Sequence, residues 1–384
     1  MTRTNRAEPP SVRAQIISAI SGGLAETRVD LAKHLQLAPS TVSVHVHDLL
    51  AEGVLSEEGQ ADSTGGRPAK ILRLLAPAGH LLVAELGGTH ARLGLADLTG
   101  KLLATVERPI NIEDGPDAVF DTLTEYFGDL EADYGHTSAR RGVCIGLPGP
   151  VDVAKGRVET PSRMPGWNHY PAGRQLRDRL GTHALIENDA NLLALGQDSL
   201  HPGLSSSITV KAGTGIGAGL VIGGALHHGA TGMAGDLSHA RLPDAGDILC
   251  ACGNTGCLET VASGAALVRE MRATGYDVTN LSEIVELANN GDGLATSLVR
   301  GAGRHLGEML CPIVGFTNPQ AVYLGGLLST LELFVASVRS QLYDGSHPAV
   351  TKNLIIDRTG EGPDLALIGG ARLLAQTILA ESAR

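Results

Sequence analysis

The sequence predicts an N-terminal winged helix-turn-helix followed by an α/β body of two similar lobes that face a cleft. Three observations predict it. Residues 1–75 read as three short helices and a β-hairpin. From Leu81 onward, apolar strands alternate with amphipathic helices, the pattern of an α/β body. Within that body a unit of strand, Gly/Thr turn and strand occurs twice, at "HLLVAELGGTHARLGLADLTGKLLATVERPI" and at "SSITVKAGTGIGAGLVIGGALHHGA". Such an internal repeat of architecture predicts two related lobes.

The first helix is predicted in "SVRAQIISAI", where Val12, Ile16, Ile17 and Ile20 share a face. The second follows in "TRVDLAKHLQL", with Thr27 as N-cap and Leu31 and Leu35 four residues apart. The third is "APSTVSVHVHDLLAEG", apolar at Val42, Val46, Leu49 and Leu50 and stopped at Gly53. "VLSEEGQADSTGGRPAKILRLL" then gives two short strands around a Gly/Ser/Asp loop. Helices separated by a tight turn and followed by a hairpin form a winged unit over 1–75. Residues 76–80 read as a linker, 81–190 as the first lobe and 191–370 as the second. A last helix over 371–384 is expected to pack on the first lobe. Further strands are expected at "RGVCIGLPGPV", "HALIEND", "QAVYLGG", "NLIID" and "DLALIGG". Further helices are expected over Ala118–Tyr134, Leu258–Thr274, Ala295–Gly315 and Thr330–Tyr343.

A chain of 384 residues is long enough for two or three cores. Aromatics make up only 3%, so those cores rest on Ala, Leu, Val and Ile. Glycine is the outlier at 50 residues, against a usual share of about 7%, and its runs sit beside apolar strands where backbone approaches a ligand closely. The first residues contain no apolar signal core, and no apolar run reaches membrane-spanning length, which predicts a cytoplasmic protein with reduced cysteines. The net charge is −11. Residues 1–80 hold eight basic and eight acidic side chains, and the rest carry 22 against 33. An acidic body does not bind nucleic acid nonspecifically, so DNA contact is confined to the first 80 residues.

Four stretches carry chemistry. "LGGTHARLG" and "AGTGIGAG" are glycine turns between strands, suited to cradling phosphate from both lobes; read blandly, they are ordinary hairpin turns. "ENDAN" follows an apolar strand and opens a helix, which aims Asp189 and Asn188 into the cleft of an α/β fold. There Asp189 can accept a proton from a substrate hydroxyl, or either residue can simply cap the helix. "CACGNTGCLE" packs Cys250, Cys252 and Cys257 into eight residues with Gly253 and Gly256 between them. Three thiolates lack one ligand for tetrahedral zinc, and His239 is the nearest candidate, with His227 and His228 as alternatives; free buried thiols or a redox pair are the other readings. Cys144 and Cys311 lie in an apolar strand and an apolar helix, as core residues do. The third helix of the winged unit offers Ser40, Thr41, Ser43, His45 and His47 to DNA, without Lys or Arg. The hairpin loop adds Arg67, which can reach a phosphate or the minor groove. A dimerisation appendage is the alternative.

Together these residues resemble the ROK family of repressors, open reading frames and sugar kinases. "CACGNTGCLE" fits its C-x-C-G-x-x-G-C-x-E pattern, and "GGT" at 87–89, "GLPGPV" at 146–151, "ENDAN" at 187–191, "GTGIGAG" at 213–219 and "GxxGxxxH" at 232–239 stand in the family's order. The "GGRP" of the wing resembles that of the family's transcriptional regulators. The resemblance implies an actin-like, ribonuclease H-like fold of the sugar-kinase type, with a sugar in the cleft. It implies that Asn188, Asp189, Asp236, His239 and Glu259 bind the sugar, with Asp189 as catalytic base only in a kinase. It implies a structural zinc on His239, Cys250, Cys252 and Cys257, and phosphate loops at Gly87, Gly88, Thr89, Gly213, Thr214 and Gly215. Four positions depart from the kinase pattern. Glu85 stands where the kinases have Asp; Asp236 and Ser238 replace Glu and Gly; Leu327 crowds the adenosine side.

The expected function is therefore a sugar-responsive transcriptional repressor of carbohydrate metabolism rather than an enzyme. Its expected partners are operator DNA and a sugar or sugar-phosphate effector, in a homodimer or dimer of dimers, with no membrane. The alternative is an ATP- and Mg²⁺-dependent sugar kinase of the glucokinase or N-acetylhexosamine kinase type. A catalytic zinc is excluded in this reading, since a Cys₃His site has no open position for water.

Overall fold

The computed structural model describes residues 12–21, 23–51, 53–59, 69–74, 79–134, 138–360 and 362–382. Arg67 and most of the predicted linker lie outside the described residues.

The N-terminal unit comprises α1 (Val12–Ser21), α2 (Arg28–His34), α3 (Pro39–Ala51) and the antiparallel pair β1 (Leu55–Glu58) and β2 (Ile71–Leu74). Thr27 caps α2 through a reciprocal box with Asp30: the Thr27 hydroxyl accepts from the Asp30 amide, and the Asp30 carboxylate accepts from the Thr27 amide. Ile16, Ile17, Leu31, Val42, Val46 and Leu49 close a small core. That core also takes in Leu379, from the far end of the chain.

The first lobe holds β3 (His80–Leu86), β4 (His90–Ala96), β5 (Leu102–Pro109), α4 (Pro116–Asp133), β6 (Arg140–Leu147), the short pair β7 (Val151–Asp152) and β8 (Arg157–Val158), α5 (Ala172–Leu180) and β9 (His183–Asn188). Its sheet runs β5-β4-β3-β6-β9, with β3, β6 and β9 parallel and β4 antiparallel to both β3 and β5. After α6 (Asp189–Ser199), the second lobe repeats the plan with β10 (Ser206–Ala212), β11 (Ile216–Ile222) and β12 (Ala225–Leu226). Four helices follow, α7 (Glu259–Ala262), α8 (Gly264–Ala273), α9 (Leu281–Asn289) and α10 (Gly293–Thr317). Then come β13 (Ala321–Gly325), α11 (Glu332–Gly345), α12 (Pro348–Thr351) and β14 (Ile355–Arg358). The second sheet runs β12-β11-β10-β13-β14, the same order and the same senses. Two copies of one five-stranded topology make the repeat read from the glycine turns a repeat of fold, the ribonuclease H-like pairing of an actin-like body.

The last helix, α13 (Leu365–Ser382), begins six residues earlier than the predicted 371. It packs on the first sheet through Leu367, Ala371 and Leu374 against Leu81, Val83 and Cys144. The segment "DLALIGG", expected as a strand, is its first turns. Alternating and helical spacing cannot be told apart in so short an apolar run. His80, read as the last linker residue, is instead the first residue of β3. Its amide donates to Ala139, and its buried ring lies 2.6 Å from Glu131 Oε1. The predicted helix over Leu258–Thr274 is two helices. Ser263 adopts extended backbone between them and caps α8 by accepting from the Ala266 amide. No described helix is long and apolar enough to cross a membrane.

Candidate functional site

A cleft of about 980 Å³ lies between the lobes. The turns at Gly87–Thr89 and Gly213–Gly215 line it from opposite sides, each closing the first hairpin of its sheet. Their amides are less free than the sequence implied. Gly87 N–H donates to the His90 carbonyl and Gly213 N–H to the Gly215 carbonyl, so both turns are closed by their own backbone. The Gly213 and Thr214 carbonyls accept from the Gly264 and Ala265 amides at the start of α8. Two glycines of "GTGIGAG" serve packing: a Cβ at Gly219 would lie 2.5 Å from Ala194 Cβ, and one at Gly217 would lie 3.0 Å from Ala190 Cβ. They let α6 approach β11. Leu327 lines the cleft beside Gly326.

Asn188 is the N-cap of α6, and its Oδ1 accepts from the Ala190 and Asn191 amides. Its Nδ2 donates to the Gly149 carbonyl, so the capping reading describes this side chain while it still lines the cleft. Asp189, the first residue of α6, is 8% exposed. Its Oδ1 accepts from the Ala190 amide, and its Oδ2 from Lys211 Nζ at 2.6 Å. Burial pushes the Asp189 carboxyl above the usual carboxylate range, against the pull of Lys211. Lys211 also donates to Glu85 Oε1 at 2.5 Å; burial pulls its ammonium down, and the two carboxylates outweigh that and push it up.

Glu259 opens α7 and is 7% exposed. Its Oε2 accepts from the Ile216 amide, and its Oε1 lies 3.1 Å from Arg163 Nη2. Burial raises its carboxyl while Arg163 opposes the shift. Asp236 and Ser238, the two departures from the kinase pattern in this loop, bond each other at 2.9 Å and line the cleft with His239. Gly232 and Gly235 adopt left-handed backbone (φ 85° and 94°), and a Cβ at either would also strike a carbonyl, Val151 O at 2.5 Å and Ala218 O at 2.1 Å, so only glycine fits there.

His239, Cys250, Cys252 and Cys257 present ligand atoms within 4.8 Å of one another. Cys250 Sγ is 3.5 Å from His239 Nδ1, and Cys252 Sγ is 3.7 Å from Cys257 Sγ. These separations match the edges of a small tetrahedron of N and S donors, so the set fits one metal ion. The loop bends through left-handed Gly253 and Gly256, and a Cβ at Gly256 would lie 2.6 Å from Gly246 O. His228, the alternative fourth ligand, is engaged elsewhere. Its Nε2 lies 2.7 Å from buried Glu187 Oε2, and that bond raises its pKa above 6.5. Glu187 Oε1 in turn accepts from the Asn188 amide and from Asn191 Nδ2.

Lys211, Arg163 and the Glu187–His228 pair were missed in the sequence. Lys211 stands two residues before Gly213, and Glu85 two before Gly87, so the repeat itself could have flagged them. Arg163 sits in an irregular loop with no such signal. In the N-terminal unit, Ser40, Ser43 and His47 are exposed on one face of α3 beside Val44, while Thr41 and His45 are half-buried.

A family model described as the ROK family matches residues 82–377. The DNA-binding transcriptional dual regulator NagC of Escherichia coli K12 is 27% identical over 372 residues, covering 92% of this chain and 89% of its own. The xylose repressor of Caldicellulosiruptor bescii is 27% identical over 352 residues, covering 86% of this chain and 87% of its own. The glucokinase of Thermotoga maritima is 29% identical over 316 residues, covering 78% of this chain and 98% of its own. Among solved structures, an ROK family transcriptional regulator described as a homologue of the E. coli MLC protein aligns with a TM-score of 0.78 at 25% identity, covering 97% of this chain and 98% of that one. A ROK family glucokinase from Streptomyces griseus, in complex with glucose and AMPPNP, gives 0.65 at 27% identity, covering 77% and 99%. The regulators align along almost the whole length, whereas the kinases leave about a fifth of this chain unmatched. The matched family stretch takes in both sheets, the cleft and the thiol loop, and on that ground the chain belongs to the ROK family.

Proposed function

We propose that this protein is a sugar-responsive, DNA-binding transcriptional regulator that acts as a repressor, with a sugar or sugar phosphate in the cleft as its signal. The observation that carries the reading is the N-terminal unit. Its α3 presents Ser40, Ser43 and His47 outward, and its core is tied to the body by Leu379 of α13. Arg67 of the wing supplies a phosphate or minor-groove contact in this reading, and two copies of the chain place two such units on a two-fold operator. A ligand changes DNA affinity only if it binds two conformations unequally. The sugar does so here by favouring one lobe closure: α6 begins at Asp189 in the cleft and packs along α13, whose other end enters the winged unit.

In the same reading His239, Cys250, Cys252 and Cys257 hold a structural Zn²⁺, which stiffens the loop that brings His239 and Glu259 to the sugar. Freshly purified protein should contain about one zinc per chain, and Cys257→Ser should lose it; protein that purifies without metal defeats the assignment. For DNA, a duplex from the gene's own upstream region is the probe. Wild type should bind it, Ser43→Ala and His47→Ala should each weaken binding by about 1–3 kcal/mol, and Arg67→Ala should lower the salt slope by about one. No binding at low or moderate salt sinks the reading. The position of Asp189 at the mouth of α6 favours the sugar-kinase alternative, with ATP and Mg²⁺ as its cofactors. ATP-dependent phosphorylation of a hexose or N-acetylhexosamine that Asp189→Asn abolishes would put that alternative first.

A further inference from the structure

The cleft contains a cation, Lys211, to which the readings above give no role. Lys211 and Glu85 occupy corresponding places in the two lobes, each two residues before a glycine turn on the central strand of its sheet. They meet across the cleft, with Lys211 Nζ 2.5 Å from Glu85 Oε1 and 2.6 Å from Asp189 Oδ2. All three side chains are a quarter exposed or less.

Phosphoryl transfer uses a divalent ion that bridges the phosphate oxygens and is held by acidic side chains. Glu85 and Asp189 are two of the carboxylates that line the cleft, and they are the pair that shares Lys211 Nζ. Hard divalent ions sit about 2.0–2.6 Å from their oxygen ligands, and the Lys211 ammonium already stands at the outer edge of that distance from both. An entering ion would have to displace it or share two oxygens with it, and like charges that close repel strongly at low dielectric. The Glu85–Asp189 pair therefore does not fit a divalent ion while Lys211 stands between them.

We propose that Lys211 is the permanent cation of this cleft: it takes the place of a divalent ion between Glu85 and Asp189 and so bars metal-bound phosphoryl groups. The assignment stands on geometry and does not depend on whether the protein binds DNA.

Mn²⁺ alone is the probe, titrated into full-length, zinc-retaining protein and followed by electron paramagnetic resonance. Wild type should leave Mn²⁺ free. Lys211→Ala should gain one bound ion per chain, about tenfold or more tighter than any wild-type binding, and K211A/E85Q should lose that gain. Two results overturn the proposal: wild type that binds Mn²⁺ as tightly as K211A and loses it on Glu85→Gln, or a folded K211A that gains nothing. If removing the ammonium leaves two buried carboxylates that unfold K211A, the wild-type titration with and without E85Q decides by itself. Operator binding is read separately, so failure here leaves the regulator reading intact, and the reverse holds.

Discussion

Gly196→Ala tests how the cleft is joined to the rest of the chain. Gly196 lies on α6, and a Cβ there would stand 1.9 Å from the Leu365 carbonyl oxygen and 2.6 Å from its carbon. Gly369 on α13 makes the reciprocal contact, its Cβ position 2.0 Å from Leu192 O. Ordinary contact begins near 3.4 Å, so at least one helix must shift by about 1.5 Å there. No rotamer relieves the clash, because the obstacle is backbone at the first residue of α13. Helix propensity alone would favour Ala by about 0.5–1 kcal/mol. Overpacking of a rigid crossing costs about 1–3 kcal/mol or more. Net destabilisation of about 2 kcal/mol is expected, a melting shift of several degrees in the transition of the body by calorimetry. Gly128→Ala is the control: its Cβ meets nothing within 4 Å in α4, so it should be neutral or stabilise by up to about 1 kcal/mol. A Gly196→Ala variant that melts with wild type or with Gly128→Ala refutes the argument.

Two other consequences follow from the packing and the ionisation of named groups. Leu379→Ala removes the side chain that α13 places in the core of the N-terminal unit, at a cost of about 2–5 kcal/mol; limited proteolysis should cut that unit earlier, with the melting of the body unchanged. The His228–Glu187 bond raises the His228 pKa above 6.5, so its stabilisation is complete below that value and is lost as pH rises through the folded pKa. Urea midpoints of wild type and His228→Gln, compared from about pH 5.5 to about pH 9, should differ most at the acid end; a gap that widens toward alkaline pH contradicts the pairing.

Local chemistry made much of this molecule legible. The Thr27 cap, the helix opening at Asp189 and the strands around both glycine turns follow from short-range rules of backbone and capping, which a linear sequence carries in full. The thiol loop was equally readable, because three cysteines and two turn-permitting glycines lie within eight residues. The break at Ser263 was harder to see, since what stabilises it is the docking of the Gly264 and Ala265 amides on the Gly213 turn. Glycines 217 and 219 stand in the same stretch as the expected phosphate turn, and what they do is admit α6.

The sequence by itself determined the two-lobed plan, the thiol loop and the family, because periodicity and tight spacing are local properties. Only the tertiary structure decided that Asn188 also donates to the Gly149 carbonyl, that His228 serves Glu187 rather than a metal, and that Lys211 joins Glu85 to Asp189. Those partners lie 41 residues apart for His228 and Glu187 and 126 apart for Lys211 and Glu85. A charge's role depends on which opposite charge folding places beside it, and no local rule encodes that.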